Sequence, residues 1–202
     1  MNALLHLDIE ALPERLVYNP PLSDEEFEAL CFENDLIQLE RTKEGQILMH
    51  APASLPTSRA NAEIIKQLSV WWDTHEEGAV YDSNGGFFLP DKSMLLPDAA
   101  YVLPETHGPR SDRGDKLGRR CPDFVIELLS PSDSLRKTQE KMKNWIANGA
   151  AIGWLIDPRK RRVTVYSADK PPVHVSGASV AGSGPVEGFT LDLARVWRMY
   201  ET

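Results

Sequence analysis

Between Cys121 and Gly149 the chain reads CPDFVIELLSPSDSLRKTQEKMKNWIANG, and no other stretch restricts its fold as tightly. Phe124 to Leu129 has the content of a short buried strand, apolar except for one carboxylate, Glu127. Burying an acid there is costly unless a charge or hydrogen bonds meet it, so Glu127 needs a partner from elsewhere. Ser-Pro-Ser-Asp then opens a helix whose apolar stripe is Leu135, Met142, Trp145 and Ile146. At about 100° per residue Lys141 lies on the margin of that stripe, where a long side chain can reach back toward the strand. The ordinary alternative is a solvated surface lysine.

The rest of the chain supplies elements around this unit. Residues 1–20 read as a loosely held lead-in. Ser23-Asp24-Glu25-Glu26 is a capping box that starts a helix running to about Glu33. LIQLER (Leu36 to Arg41) and QILMH (Gln46 to His50) read as a hairpin turning at Lys43-Glu44-Gly45. A long helix is predicted from about Ser58 to Glu77, with Ile64, Leu68, Trp71 and His75 at helical spacing and Gly78 as its stop. AVYDS, GGFFLP and DAAYVL read as three short strands, followed by a polar, Gly-rich loop from Pro104 to Arg120. IGWLID and RVTVYS form a second hairpin, and the tail offers one or two strands and a short helix near Leu191 to Met199. The order is that of a mixed α/β (α+β) domain. No glycine fingerprint follows any strand, which excludes a dinucleotide-binding Rossmann unit.

With 202 residues, 42% of them hydrophobic, the chain suffices for one domain over residues 1–202. No apolar run reaches the roughly 20 residues of a membrane span, and the N-terminus is acidic where a leader is basic. The expectation is a soluble, cytoplasmic protein. Cys31 and Cys121 have no metal-ligand spacing and read as buried free thiols. A net charge of −8 argues against coating nucleic acid by charge alone. It leaves room for a nuclease, whose catalytic acids add negative charge that metal ions offset. Basic residues cluster in Arg110 to Arg120 and in Arg159 to Arg162, both readable as exposed loop and turn charge.

Two Pro-Asp pairs precede apolar strands, ending in Asp98 and Asp123. Asp123 shares a strand face with Glu127, but four residues of strand span about 13 Å. Two oxygens on one magnesium lie at most about 4 Å apart, so those two acids cannot share an ion directly. Asp98 starts a different strand and can stand beside Glu127 if the strands are neighbours, about 4.8 Å apart. Asp98 and Glu127 are therefore the candidate pair, with a strand-start residue and a salt-bridged acid as the alternative.

LLPDAAYVL, CPDFVIELLSPSDS and KMKNWIANGAAIGWLIDPRKRRVTVY, in that order, resemble the Uma-two family of restriction endonucleases, a bacterial branch of the PD-(D/E)XK nuclease superfamily. The resemblance runs from about Asp24 to Tyr166. It implies a restriction-endonuclease-like core over about residues 24–167, a central mixed sheet flanked by helices, with residues 168–202 as a C-terminal extension. It also implies magnesium (or manganese) held by Asp98 and Glu127. The superfamily lysine would follow that acid by two residues, where this chain has Leu129; Lys141 matches the relocated lysine. Glu40 matches a family glutamate before the first hairpin turn. Asn61 falls where relatives place a histidine; the helical projection puts it on the apolar face and Glu63 well away from it.

The implied reaction is metal-assisted hydrolysis of DNA phosphodiesters. Lys141 would position the attacking water, and Glu40 would add a ligand or hold outer-shell water. Residues 110–120 could contact phosphates near the site. The competing reading is a catalytically inactive nuclease-fold module for binding or assembly. Trp71-Trp72 and the strands beyond Pro171 offer spare apolar and edge surface, from which a homodimer is expected.

Overall fold

The Cys121–Gly149 segment folds as a strand and helix leading into a second, parallel strand, and the rest of the chain is laid on that unit. The computed structural model describes residues 15–34, 37–107, 116–131 and 133–201. In chain order its elements are β1 (Arg15–Val17), α1 (Asp24–Glu33), β2 (Gln38–Arg41), β3 (Gln46–His50) and α2 (Leu55–Trp72). Then come β4 (Ala79–Asp82), β5 (Phe87–Phe88), β6 (Met94–Leu95), β7 (Ala99–Val102) and α3 (Pro104–His107). β8 (Phe124–Leu128), α4 (Leu135–Ala147), β9 (Ile152–Asp157) and β10 (Arg162–Ser167) follow. The chain closes with β11 (Lys170–Ser176), β12 (Ser179–Ala181), β13 (Thr190–Asp192) and α5 (Leu193–Arg198).

The main sheet has the order β11-β10-β9-β8-β7-β4. β8 and β9 pair in parallel with α4 as their connection, and the other neighbours are antiparallel, so the sheet is mixed. Strands covered on both faces read as unbroken apolar runs, which is why FVIEL and IGWLID show no alternation. Along β8, Phe124, Ile126 and Leu128 join a core with Ile64 and Leu68 of α2 and Val196 and Trp197 of α5. Val125 and Leu129 face the other way, onto Met142 and Trp145 of α4. Glu127 has the parity of this second group. α4 can press close because Gly153 of β9 lies beneath it; a Cβ there would stand 2.3 Å from Met142 Cε.

A smaller sheet, β1-β3-β2-β6-β5, packs under α1 through Phe27, Leu30, Leu39, Ile47, Phe88 and Met94. The capping box forms as predicted: Glu26 N donates to Ser23 Oγ at 3.2 Å and Ser23 N to Glu26 Oε2 at 2.8 Å. The hairpin also forms, with Glu40 opposite Leu48 and Gln38 opposite His50; Leu36, its expected first residue, lies outside the described residues.

Several expectations need correction. Residues 15–17, expected in a loose lead-in, pair with β3 as β1; residues 1–14 lie outside the described residues. α2 starts at Leu55 and stops at Trp72 rather than at Gly78. Ser54 caps its start and accepts from Thr57 N, and Pro56 suits the first turn. Side chains close its end, with Thr74 Oγ1 donating to Trp71 O at 2.7 Å and Trp72 Nε1 to Glu77 O at 2.9 Å. Gly78 serves β4 instead: its φ is +70°, and a Cβ would come within 2.3 Å of Val102 O. The two-residue strand β6 was not foreseen, since Met94 and Leu95 offer too short an apolar run for a periodicity to register. Trp71 and Trp72 are not spare surface. Both pack on the core, Trp71 meeting Tyr101 edge-on with ring centroids 5.2 Å apart and lying 5.9 Å from the Phe189 ring.

The tail packs on the main sheet and its core. β11 forms the sheet edge, where Pro171 and Pro172 are tolerated. Val180, Phe189, Leu191 and Leu193 enter the same core as β8. Cys31 and Cys121 are free and half-buried, and burial, the largest effect at each, pushes both thiols up to about 12. No helix among the described residues is long and apolar enough to cross a membrane.

Candidate active site

The partner that Glu127 requires comes from α4. Lys141 Nζ lies 3.0 Å from both Glu127 oxygens, and Trp145 Nε1, one helical turn on, donates to Glu127 Oε1 at 2.8 Å. Lys141 is thus engaged rather than solvated, with 19% of its side chain exposed. It also bonds Glu40 Oε1 at 2.8 Å and donates to Leu96 O at 2.6 Å. Leu96 works from both ends, because its N–H donates to Glu40 Oε1 at 2.8 Å. The backbone between β6 and β7 therefore locks Glu40 and Lys141 together, two residues before Asp98.

Asp98 stands at the start of β7. The β7–β8 ladder pairs Ala99 with Ile126, and continuing that register sets Asp98 beside Glu127. The Asp98 amide donates to Ile126 O at 3.0 Å, and its Oδ2 accepts from Leu128 N at 2.7 Å, so the residue brackets Glu127 from the neighbouring strand. Asp98 Oδ1 accepts from no donor among the described residues, and the residue is partly exposed.

Three carboxylates around one ammonium make the cluster short of positive charge. Burial is the largest influence on Glu127 and, with Asp98 and Glu40 nearby, raises its carboxyl to about 8 despite Lys141. Burial also works to raise Glu40, but Lys141 and His50 overcome it and hold that carboxyl down at about 2. Asp98 is raised chiefly by loss of hydration, against the pull of Leu128 N–H and Lys141. Burial works against the charge on Lys141, yet Glu127, Glu40 and Asp98 together raise it above the ordinary lysine range, so it is a fixed cation.

The remaining predicted residues separate from this cluster. The Asp123 carboxylate accepts from Leu103 N at 2.8 Å and Thr106 Oγ1 at 3.0 Å, tying down the start of α3. Leu129 is buried against α4. Glu63, projected away from the apolar face, is instead buried and contacts Lys66, Gln67 and Arg195, because α5 covers that side of α2. Asn61 Oδ1 is buried without a partner among the described residues. Of the basic loop, residues 108–115 lie outside the described residues. Arg119 pairs with Asp24, Glu25 and Glu28 and lies over the Phe88 ring, and Arg120 donates to Thr106 O at 2.6 Å.

Sequence reasoning missed His50 and Trp145. His50 Nε2 lies 3.0 Å from Glu40 Oε2. The hairpin register would have found it, since with Glu40 opposite Leu48 the residue two further along β3 is a diagonal neighbour. Trp145 was read only as core, although it follows Lys141 by four residues and so shares its face.

Among the described residues no group of three or more acids, histidines or cysteines is arranged to hold a metal ion. Asp98 and Glu127 form a pair of hard oxygen donors. That suits magnesium, which commonly takes one or two carboxylates and completes its shell with water and phosphate oxygens. The surplus of carboxylate over cation is the electrostatic complement of such an ion.

The crystal structure of a "putative nuclease belonging to DUF820" from Anabaena variabilis shares this fold. It has a TM-score of 0.74 and 20% identity, over 89% of this chain and 99% of that one. Comparison with curated proteins found no match. The Uma2 family, described as "Putative restriction endonuclease", matches residues 24–194, a span that includes Glu40, Asp98, Glu127 and Lys141, and the chain belongs to that family.

Proposed function

We propose that the protein hydrolyses phosphodiester bonds of DNA with the help of magnesium or manganese. The observation that supports this most directly is the convergence of Glu40, Asp98 and Glu127 on one lysine, with negative charge in excess. Asp98 and Glu127 would hold the metal, which when bound supplies charge to polarise the phosphate and lowers the pKa of its water. Lys141 stays protonated, so it acts as a cation and hydrogen-bond donor, never as the base. It orients the attacking water and offsets charge that builds on the phosphoryl oxygens. Glu40, an acid of pKa about 2, is too weak a base to take the water's proton. It positions Lys141 instead, and His50 and Leu96 N–H position Glu40.

A second reading, a nuclease-fold module without cleavage, is favoured by one feature: Lys141 already engages both oxygens of Glu127. Plasmid cleavage with added magnesium separates the two. The nuclease reading expects metal-dependent nicking by the wild type and loss of about 100-fold or more in Glu127→Ala, in line with losing an electrostatic group of the site. Equal cleavage by both proteins, or none by either, discards it.

A further inference from the structure

A second charged feature lies on the opposite side of the main sheet from α4, where α2 meets α5. An open cleft of about 600 Å³ is lined there by Arg59, Glu63, Arg195, Arg198, Met199 and Glu201. Three arginines in one cleft stand out on a chain whose net charge is −8. Their acids are largely taken. Glu63 is bonded by Lys66, by Gln67 Nε2 at 3.1 Å and by Arg195 at 3.4 Å. Glu201 is bonded by Arg161 at 2.6 Å, which brings a fourth arginine to the rim from the turn between β9 and β10. The side chains of Arg59 and Arg198 form no ion pair or hydrogen bond with the described residues, and both are exposed. By contrast Arg41, Arg119, Arg136 and Arg161 each contact an acid.

The chain that lines the cleft passes close to Asp98. Arg198 and Met199 line it, and the next residue, Tyr200, has its hydroxyl buried. Thr57, Asp98 and Asp133 are all close enough to influence that hydroxyl. Thr57 stands two residues before Arg59 on α2. Tyr200 therefore stands near both the cleft-lining Arg198 and Met199 and the Asp98 carboxylate.

We propose that this cleft binds the sugar–phosphate backbone of the nucleic acid whose scissile phosphate lies at Asp98 and Glu127, with Arg59 and Arg198 each holding a phosphate. The identity of the occupant rests on the nuclease reading above; the arginine cleft itself does not. A guanidinium presents a planar fork of donors that matches two phosphate oxygens, and unpaired guanidinium groups bind without first breaking an internal ion pair. Contacts of this kind fix register and orientation on the strand rather than read its bases.

The test measures binding without cleavage. Full-length protein in EDTA is titrated against a fluorescein-labelled DNA duplex of arbitrary sequence, and anisotropy is followed across a salt series. Arg59→Gln and Arg198→Gln should each weaken binding by on the order of tenfold. Each should reduce the slope of log affinity against log salt by about 1, and the pair by about 2. Arg198→Lys should keep the slope while losing affinity, because the charge stays and the fork goes. Arg136→Gln, on the outer face of α4, should match the wild type. Wild-type slopes in both glutamine variants would overturn the inference, as would a wild type that does not bind the probe. Equal competition by inorganic phosphate and by unlabelled duplex at matched phosphate concentration would also overturn it, since the cleft would then hold a small anion. If the arginine variants lose binding while neither wild type nor Glu127→Ala cleaves plasmid, the cleft stands and the nuclease reading falls.

Discussion

Removing the ammonium from the cluster tests the electrostatics most directly. In Lys141→Met the apolar stem is retained, while Glu40 and Glu127 keep their burial and lose their common cation. Glu40 gives the magnitude. A carboxyl held at about 2 rather than 4.5 represents about 3 kcal/mol at 1.36 kcal/mol per unit, shared between Lys141 and His50. A loss of about 2–3 kcal/mol at pH 7.5 is expected, which for a chain of this size lowers Tm by roughly 5–10 °C. The pH dependence has a definite sign. A depressed carboxyl stabilises the fold above its unfolded pKa near 4.5, and that contribution vanishes as pH falls toward 2. Glu127, raised to about 8, works in the opposite sense: its stabilising effect is complete below 4.5 and is lost as pH rises through 8. Without Lys141, whose charge lowers the Glu127 carboxyl, that loss continues to higher pH. The gap between wild type and variant should thus widen from pH 5 to pH 8 and close toward pH 3. Thermal melts in EDTA at pH 3, 5 and 8 measure it. Equal Tm values for both proteins at pH 8 would refute the reasoning, because Lys141 would then be a solvated surface residue.

Other outcomes follow from the same geometry. If Asp98 and Glu127 hold magnesium as proposed, the ion must displace the proton from Glu127, so its affinity should rise with pH up to about 8 and then level, by as much as tenfold per unit. Calorimetry in two buffers of different ionisation heat would read the released proton, and a pH-independent affinity would contradict the assignment of Glu127 as ligand. His50→Ala should cost about 1 kcal/mol through the lost bond to Glu40; an unchanged denaturation midpoint would show that the contact is idle. Gly153→Ala places a methyl against Met142 and Val125 and should destabilise by about 1–3 kcal/mol. A wild-type melt would mean that α4 can lift without penalty.

The parts of the fold that the sequence displayed are those decided locally. The capping box at Ser23 and the hairpin from Gln38 to His50 depend on residues within a few positions of one another, and they formed as read. The end of α2 did not, because Trp72 and Thr74 close it through side-chain bonds that no periodicity announces. Glu63 was misplaced because α5, over a hundred residues later, covers that side of α2, and Trp71 because Tyr101 and Phe189 reach it from far along the chain. The proximity of Asp98 to Glu127 was reachable from strand spacing alone once β7 and β8 were neighbours. Nothing local shows that Leu96 would clamp Glu40 and Lys141 from its two backbone ends.

The position of the lysine then has a physical reading. Leu129, just past the end of β8 and two residues beyond Glu127, is 4% exposed and packed with Met142 and Trp145. An ammonium there would need its own partners inside an apolar cluster, at a desolvation penalty of several kcal/mol. On α4 the ammonium is one residue from Met142 and reaches Glu127, Glu40 and Leu96 O with its three donors. α4 seats close over Gly153, where a Cβ would stand 2.3 Å from Met142 Cε. A glycine on β9 that contributes no chemistry of its own thus makes room beneath the helix that carries Lys141. Substitutions that lift α4 should therefore disturb Glu40 and Glu127 together, even where every charged residue is intact.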